Sequence, residues 1–324
     1  MRLGLTTEQR EFGAATGRLL AEQSGADRWT RLAELGIPGL LVPEEHGGAG
    51  GDDVDLLAPI EAAGHAAAPE PLIETAVATG LLRGSALAET WLPRLAEGES
   101  LVTVAEPGAS HAVGADRAAL VLIERGGAWH AATEFTTAER PSLDEERSLF
   151  TVSAQSTEQV AAAGSAEAVT ALDRGTVLSA AYLLGVGRRM IELSVEHAGT
   201  RVQFGRPIGS YQAIKHQLAD ALVAVEFARP CVHQAAYALA HGSPTASRYA
   251  SAAKSLAADA ARLAARTALQ VHGAIGYTVE CELHRWLRRT WTFAAAWGDA
   301  DHHRLRVAAL LIDAAETGEV VRLP

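Results

Sequence analysis

The spacing of hydrophobic and polar positions changes character twice along the chain. Up to about residue 98, apolar residues recur three and four apart between turn residues, the signature of short amphipathic helices. Thr6-Thr7-Glu8-Gln9 reads as a capping box, and the helix it opens carries Phe12, Leu19 and Leu20 on its apolar side. A second helix over 29–35 stops at Gly36. Further helices are expected from a cap at Asp52 to about Gly64, then over 72–82 and 87–96. Residues 37–51 are dense in Pro and Gly and form an ordered connector. They lack the Lys and Ser/Thr of a phosphate-binding P-loop. From Gly98 the pattern shortens to strands: 101–104 with a turn at Pro107-Gly108, 118–124, a strand around Trp129, and 149–152. This β unit ends near Ala163.

From Ala168 onward the helical period returns. Residues 177–198 are apolar nearly all round in their first half, which suits a helix inside a bundle. Tyr211, Ile214, Leu218, Ala221, Leu222 and Val225 share one face of a helix from 210 to about 239, with a kink expected at Pro230. Ser243-Pro244 reads as the cap and first position of a helix that runs to His272 and is stopped by Gly273. Helices over 280–291 and 299–316 complete an antiparallel bundle. The predicted fold class is mostly α with a small β domain. Its segments are 1–98 (helical), 99–165 (β) and 166–324 (a four-helix-bundle domain).

Composition narrows the chemistry. The 324 residues are 48% hydrophobic and 21% charged, which is an ordinary globular balance. The net charge of −11 speaks against nucleic acid or an anionic membrane as a partner. A polyanionic ligand would need local cations, and two clusters offer them: Arg201, Arg206 and Lys215, and Arg285, Arg288 and Arg289. The two cysteines, Cys231 and Cys281, make neither a disulfide framework nor a zinc site. No apolar signal core or membrane-length run is visible, so the expected location is the cytoplasm.

Two motifs carry the functional reading. The first is Arg201-x-x-Phe204-Gly205-x-Pro207-Ile208-x-x-Tyr211-Gln212-Ala213-Ile214; the second is Gln270-x-His272-Gly273-Ala274-x-Gly276-Tyr277, followed by His284-Arg285 and Arg288-Arg289. Taken singly, Arg201 is a residue that caps the preceding helix, and Gly273 is an ordinary helix C-cap. In this order and together they resemble the C-terminal domain of the flavin-dependent acyl-CoA dehydrogenases. The loop over 37–51 and the segment Ala105-Glu106-Pro107-Gly108 are similar to that family's other domains, so the resemblance spans the chain. It implies FAD as cofactor, an acyl-CoA thioester as substrate and a flavoprotein as electron acceptor. It also implies cofactor-binding roles for Arg201, Gln203, Phe204, Tyr211, Gln212, Gln270, Gly273 and Ala274, reaching the FAD of a neighbouring subunit. Ala274 stands where Gly is usual.

The resemblance also shows a departure. Family members use a buried Glu as base, most often just before a Gly in the loop after the Arg-rich helix. Here that position is Trp297, before Gly298. A minority place the Glu on the helix ahead of the first motif, and by spacing that position is Gly175. No catalytic residue is identified; Asp299 is the nearest carboxylate, and it reads more readily as the cap of the last helix than as a base. Asp299, Asp301, His302 and His303 do not form a convincing metal set, because adjacent His side chains on a helix diverge. The segment after Glu106 is short, and no counterpart of the family's flavin-walling Trp strand is evident. This pattern is similar to the short subunit of heteromeric acyl-CoA dehydrogenases of bacterial steroid side-chain degradation. There a longer partner supplies the base, and the pair forms a heterotetramer. The alternatives are a self-sufficient homo-oligomer using Asp299, and a non-redox acyl-CoA-binding or scaffold subunit.

Overall fold

The structure, a computed structural model, describes residues 4–22, 27–106 and 111–316; the turn expected at Pro107-Gly108 lies outside the described residues. The first segment folds as α1 (Thr7–Glu22), α2 (Asp27–Glu34), α3 (Leu57–His65), α4 (Leu72–Leu82) and α5 (Ala88–Ala96). The capping box forms as read. The Gln9 N–H donates to Thr6 Oγ1 at 3.2 Å, and the Thr6 N–H donates to Gln9 Oε1 at 2.8 Å. Asp52 caps a turn instead of the helix: its Oδ1 accepts the Val54 N–H at 2.8 Å, and regular helix begins only at Leu57.

Seven strands follow: β1 (Leu101–Val104), β2 (His111–Val113), β3 (Ala118–Arg125), β4 (Ala128–Ala132), β5 (Phe135–Arg140), β6 (Leu149–Ala154) and β7 (Glu158–Ala161). They make a sheet of order β1-β3-β4-β7, with β1 parallel to β3, and a second of order β2-β6-β5. The sequence marks β1, β3, β4 and β6. It misses β5 because that strand is exposed from Thr136 to Arg140 and has no buried face for a two-residue period to reveal. Trp129 on β4 is completely buried and belongs to the core.

The last segment is organised around α6 (Ala166–Thr200), 35 residues and about 52 Å long. Ser165 caps it, accepting the Ala168 N–H at 3.2 Å. A two-stranded hairpin, β8 (Val202–Gln203) and β9 (Arg206–Pro207), leads to α7 (Gln212–Ala240). Pro230 lies inside α7 without ending it. Then come α8 (Ala246–His272), α9 (Leu283–Ala295) and α10 (Ala300–Glu316). Ser243 and Pro244 form the turn before α8, which begins at Ala246. Helix α6 packs on α3, α4, α7, α8 and α9, so the first and last segments share one hydrophobic core.

Two details fix how α3 meets this bundle. A Cβ on Gly64 would lie 2.0 Å from the Tyr182 carbonyl oxygen, and one on Gly185 would lie 2.0 Å from that of Glu61. Only glycine permits so close a crossing of α3 and α6. The unpaired carbonyls at and just past the end of α3 are then satisfied from the bundle. Trp286 Nε1 donates to His65 O at 2.9 Å, Arg289 Nη2 to Ala67 O at 3.0 Å, and Tyr182 Oη to Ala68 O at 2.8 Å.

Candidate functional site

The two motifs sit at one end of the bundle. Arg201 follows the last turn of α6, and Gly273 follows the last turn of α8. The rings of His197 and His272, one on each helix just inside these ends, stack with centroids 4.4 Å apart and planes at 22°. This stack holds the hairpin and the Gln270–Gly273 turn side by side. Of the eight sequence-predicted cofactor residues, Arg201, Gln203, Phe204, Gln212, Gln270, Gly273 and Ala274 are exposed, and Tyr211 is half-buried.

The hairpin is built to present side chains outward. Phe204 occupies left-handed backbone at φ 52°, with Gly205 beside it at φ 81°, and Phe204 is 92% exposed. Tyr211 supports the tip from below. Its ring meets Phe204 edge-on at 6.5 Å, Arg206 lies 4.1 Å over its face, and its hydroxyl donates to Gln203 O at 3.3 Å. Among the described residues no carboxylate pairs with Arg201. A guanidinium fork, side-chain amides and an exposed aromatic face are the donor set for a diphosphate joined to an aromatic ring system. That chemistry fits part of FAD, displayed on the outside of this chain.

The second expected cation cluster is not available to a ligand. Arg285 pairs with Glu146 at 2.8 Å, Arg288 with Glu145 at 3.2 Å, and Arg289 with Asp144. The acidic turn between β5 and β6 brings these carboxylates in. The next residue of that turn, Arg147, forms a buried ion pair with Glu74 of α4 and lies 4.4 Å over the ring of Phe293. The sequence reading missed this neutralisation, although the run Asp144-Glu145-Glu146 carried the signal.

The two positions at which a base was sought meet in space. A Cβ on Gly175 would lie 2.3 Å from Cε3 of Trp297 and 2.5 Å from its Cδ2, so the indole lies directly on the glycine. Trp297 is 6% exposed, and its backbone is left-handed at φ 58°. The loop beneath it is fastened at every carbonyl. Buried Lys254 donates to Ala296 O and, at 2.8 Å, to Gly298 O; His303 Nε2 donates to Trp297 O at 2.8 Å. The Trp297 N–H in turn donates to Glu106 Oε2 at 3.2 Å. Burial raises the pKa of Glu106 above the usual carboxylate value. Burial also lowers Lys254 to about 7 and His303 to about 4. Glu106, Leu172, Thr176, Trp297, Gly298 and Arg306 are among the residues lining a cavity of about 450 Å³ beside the indole.

Asp299 is exposed and caps α10: its Oδ1 accepts the His302 N–H at 2.8 Å, and this bond lowers its pKa. That environment suits a permanently ionised cap, whereas a base for a thioester α-proton needs desolvation. Sequence reasoning found Gly175 and Trp297 separately and missed their contact. A glycine inside an otherwise apolar helix was the available sign of a close neighbour.

Comparison with known proteins gives consistent matches. Residues 10–99 match the family model for the acyl-CoA dehydrogenase N-terminal domain, and residues 162–312 match that for the C-terminal domain. The chain is 34% identical over 281 residues to acyl-CoA dehydrogenase IpdE2 of Mycobacterium tuberculosis, spanning 85% of this chain and 84% of that protein. Among solved structures it resembles the steroid ACAD Tcur3481-Tcur3483, with a TM-score of 0.87, 24% identity and coverage of 95% of this chain and 99% of that one. It also resembles a chain of the ChsE4-ChsE5 complex from Mycobacterium tuberculosis, with a TM-score of 0.84, 24% identity and coverage of 97% and 99%.

Proposed function

Since the chain belongs to the acyl-CoA dehydrogenase family of FAD-dependent oxidoreductases, we propose that it is the short, FAD-site-completing subunit of a heteromeric enzyme that dehydrogenates an acyl-CoA thioester at its α,β carbons. One observation carries this reading: the cofactor motifs project from the surface instead of lining a pocket of their own chain. Residues so placed serve a cofactor seated mainly on a neighbour. The likeness to the steroid ACAD Tcur3481-Tcur3483 and to a chain of the ChsE4-ChsE5 complex supports a heteromeric arrangement and an acyl-CoA substrate of steroid type.

In this assignment Arg201 holds a phosphate by its fork of donors, Phe204 covers an aromatic face, and Gln203, Gln212 and Gln270 give or accept amide hydrogen bonds. The backbone at Gly273 and Ala274 approaches without side-chain obstruction. FAD, when bound, supplies the acceptor for the hydride that leaves the β-carbon. The α-proton goes to a carboxylate of the longer subunit, since positions 175 and 297 of this chain offer none.

The test is co-production with a longer homologue, followed by the visible spectrum of the purified pair. Flavin bound by the pair and absent from either chain alone is the expected result. Arg201→Ala should then lower flavin retention in the pair, and unchanged FAD content would count against the reading. Stoichiometric flavin on this chain alone would favour the self-sufficient homo-oligomer.

A further inference from the structure

We infer that Trp297 is a fixed plug that excludes an acyl thioester from this chain's own cleft, so that substrate binds only on the partner's side. The inference deepens the half-site reading and rests on it for the identity of the ligand excluded.

The contact itself has the form of an occupied site. An indole 94% withdrawn from solvent lies face-on against a helix backbone bared by Gly175, at the wall of a cavity of about 450 Å³. That volume lies within the range of small-molecule pockets, and a half-buried carboxylate, Glu106, stands in its wall. Ordinary core packing does not require a tryptophan in left-handed backbone, a conformation in which non-glycine residues are strained. The strain is over-determined by its surroundings: the carbonyls of Ala296, Trp297 and Gly298 are held by the buried Lys254 and His303, and the N–H of Trp297 by the half-buried Glu106. The indole Nε1 is buried without a hydrogen-bond partner among the described residues, so this ring fills space and is not placed for a bond. A loop pinned in this way is no gate. It keeps the indole seated whether or not a partner or a flavin is present.

The geometry also explains why Gly175 and Trp297 go together. Any side chain on residue 175 would enter the indole, and any small residue at 297 would open the cavity to the bare helix. Each position therefore fits only in the presence of the other.

Binding of an unreactive S-alkyl-CoA thioether by the full-length chain, measured by isothermal titration, tests the plug directly. The wild type should take up none. Trp297→Gly, which also relaxes the backbone at φ 58°, should bind one equivalent at least about tenfold more tightly than the wild type. Trp297→Phe, which keeps the core filled if the glycine variant does not fold, should show a smaller gain. Wild-type binding equal to that of the variants, or folded Trp297→Phe and Trp297→Gly proteins that bind no more tightly than the wild type, would overturn the inference. Flavin content of the co-produced pair is read separately. Its absence in the wild-type pair defeats the half-site reading, while the thioether result decides the plug.

Discussion

A single side chain, Trp297, decides what this chain's cleft can do, and its neighbours show how such a residue is kept in place. His303 is the most exposed to test, because its role depends on charge. It must stay neutral to donate from Nε2 to Trp297 O while Nδ1 accepts from Ser251, and burial lowers its pKa to about 4. The unfolded chain binds that proton near pH 6.5, so folding contributes stability that is complete above about 6.5 and is lost as pH falls toward 4. The melting temperature should fall across that window. His303→Gln, whose amide has a donor and an acceptor but does not titrate, should flatten the profile. Asp299 gives a second residue-scale prediction. Asp299→Asn keeps a good cap and removes the charge, so turnover of the assembled enzyme should not change, whereas Asp299→Ala should cost about 1 kcal/mol of stability and nothing in rate. Lost turnover in the Asn variant, followed by dye reduction with an acyl-CoA, would return Asp299 to the chemistry.

At the scale of elements, the turn between β5 and β6 does the most with the fewest residues. Asp144 and Arg147 reach opposite neighbours, Arg289 of α9 and Glu74 of α4, and all four side chains are buried. Removing one member leaves an unpaired charge in the interior. Arg147→Ala should therefore destabilise by about 3–5 kcal/mol in chemical denaturation, while replacing Arg147 and Glu74 together by apolar residues of similar size should cost much less. Equal losses in the two would show that the pair is not desolvated in solution. The same turn marks the limit of what the sequence makes legible. Helices with a strong apolar face, such as α7, and motifs whose residues lie close together in the chain, such as 201–214, are readable locally. The partners of Arg285, Arg288 and Arg289 are not, because each pairing joins residues far apart in sequence. The contact of Trp297 with Gly175 escapes for the same reason, and so does the role of Glu106. Helix starts drift for a different cause: Asp52 and Ser243 do cap backbone N–H groups, but those of turns that precede the helices.

At the scale of the molecule, the two faces of the chain have opposite characters. On the inner side Trp297 occupies the space against Gly175, while Arg201, Gln203 and Phe204, the residues proposed to meet FAD, stand outside on and beside the hairpin. Helix α6 links the two, carrying Gly175 near one end and leading into Arg201 at the other. Its crossing with α3 depends on Gly185, so Gly185→Ala should separate the helices and lower the melting temperature. It should also weaken flavin retention in the proposed pair without touching any residue proposed to meet the cofactor. A normal melting temperature would mean that the crossing adjusts at little cost.

The hairpin's outward pose has a further consequence, for how long the chain survives unaccompanied. Its tip sets Phe204 in water between two arginines, Arg201 and Arg206, with backbone that no interior element covers. Exposed tips of this kind are where proteases cut first. If the chain pairs as proposed, a cell making it in excess of the longer subunit would lose the surplus by nicking there, and docking would shield the same backbone. Under the proposed pairing, trypsin cleavage after Arg201, the one of the two arginines not followed by proline, thus becomes a clock that starts at synthesis and stops at assembly.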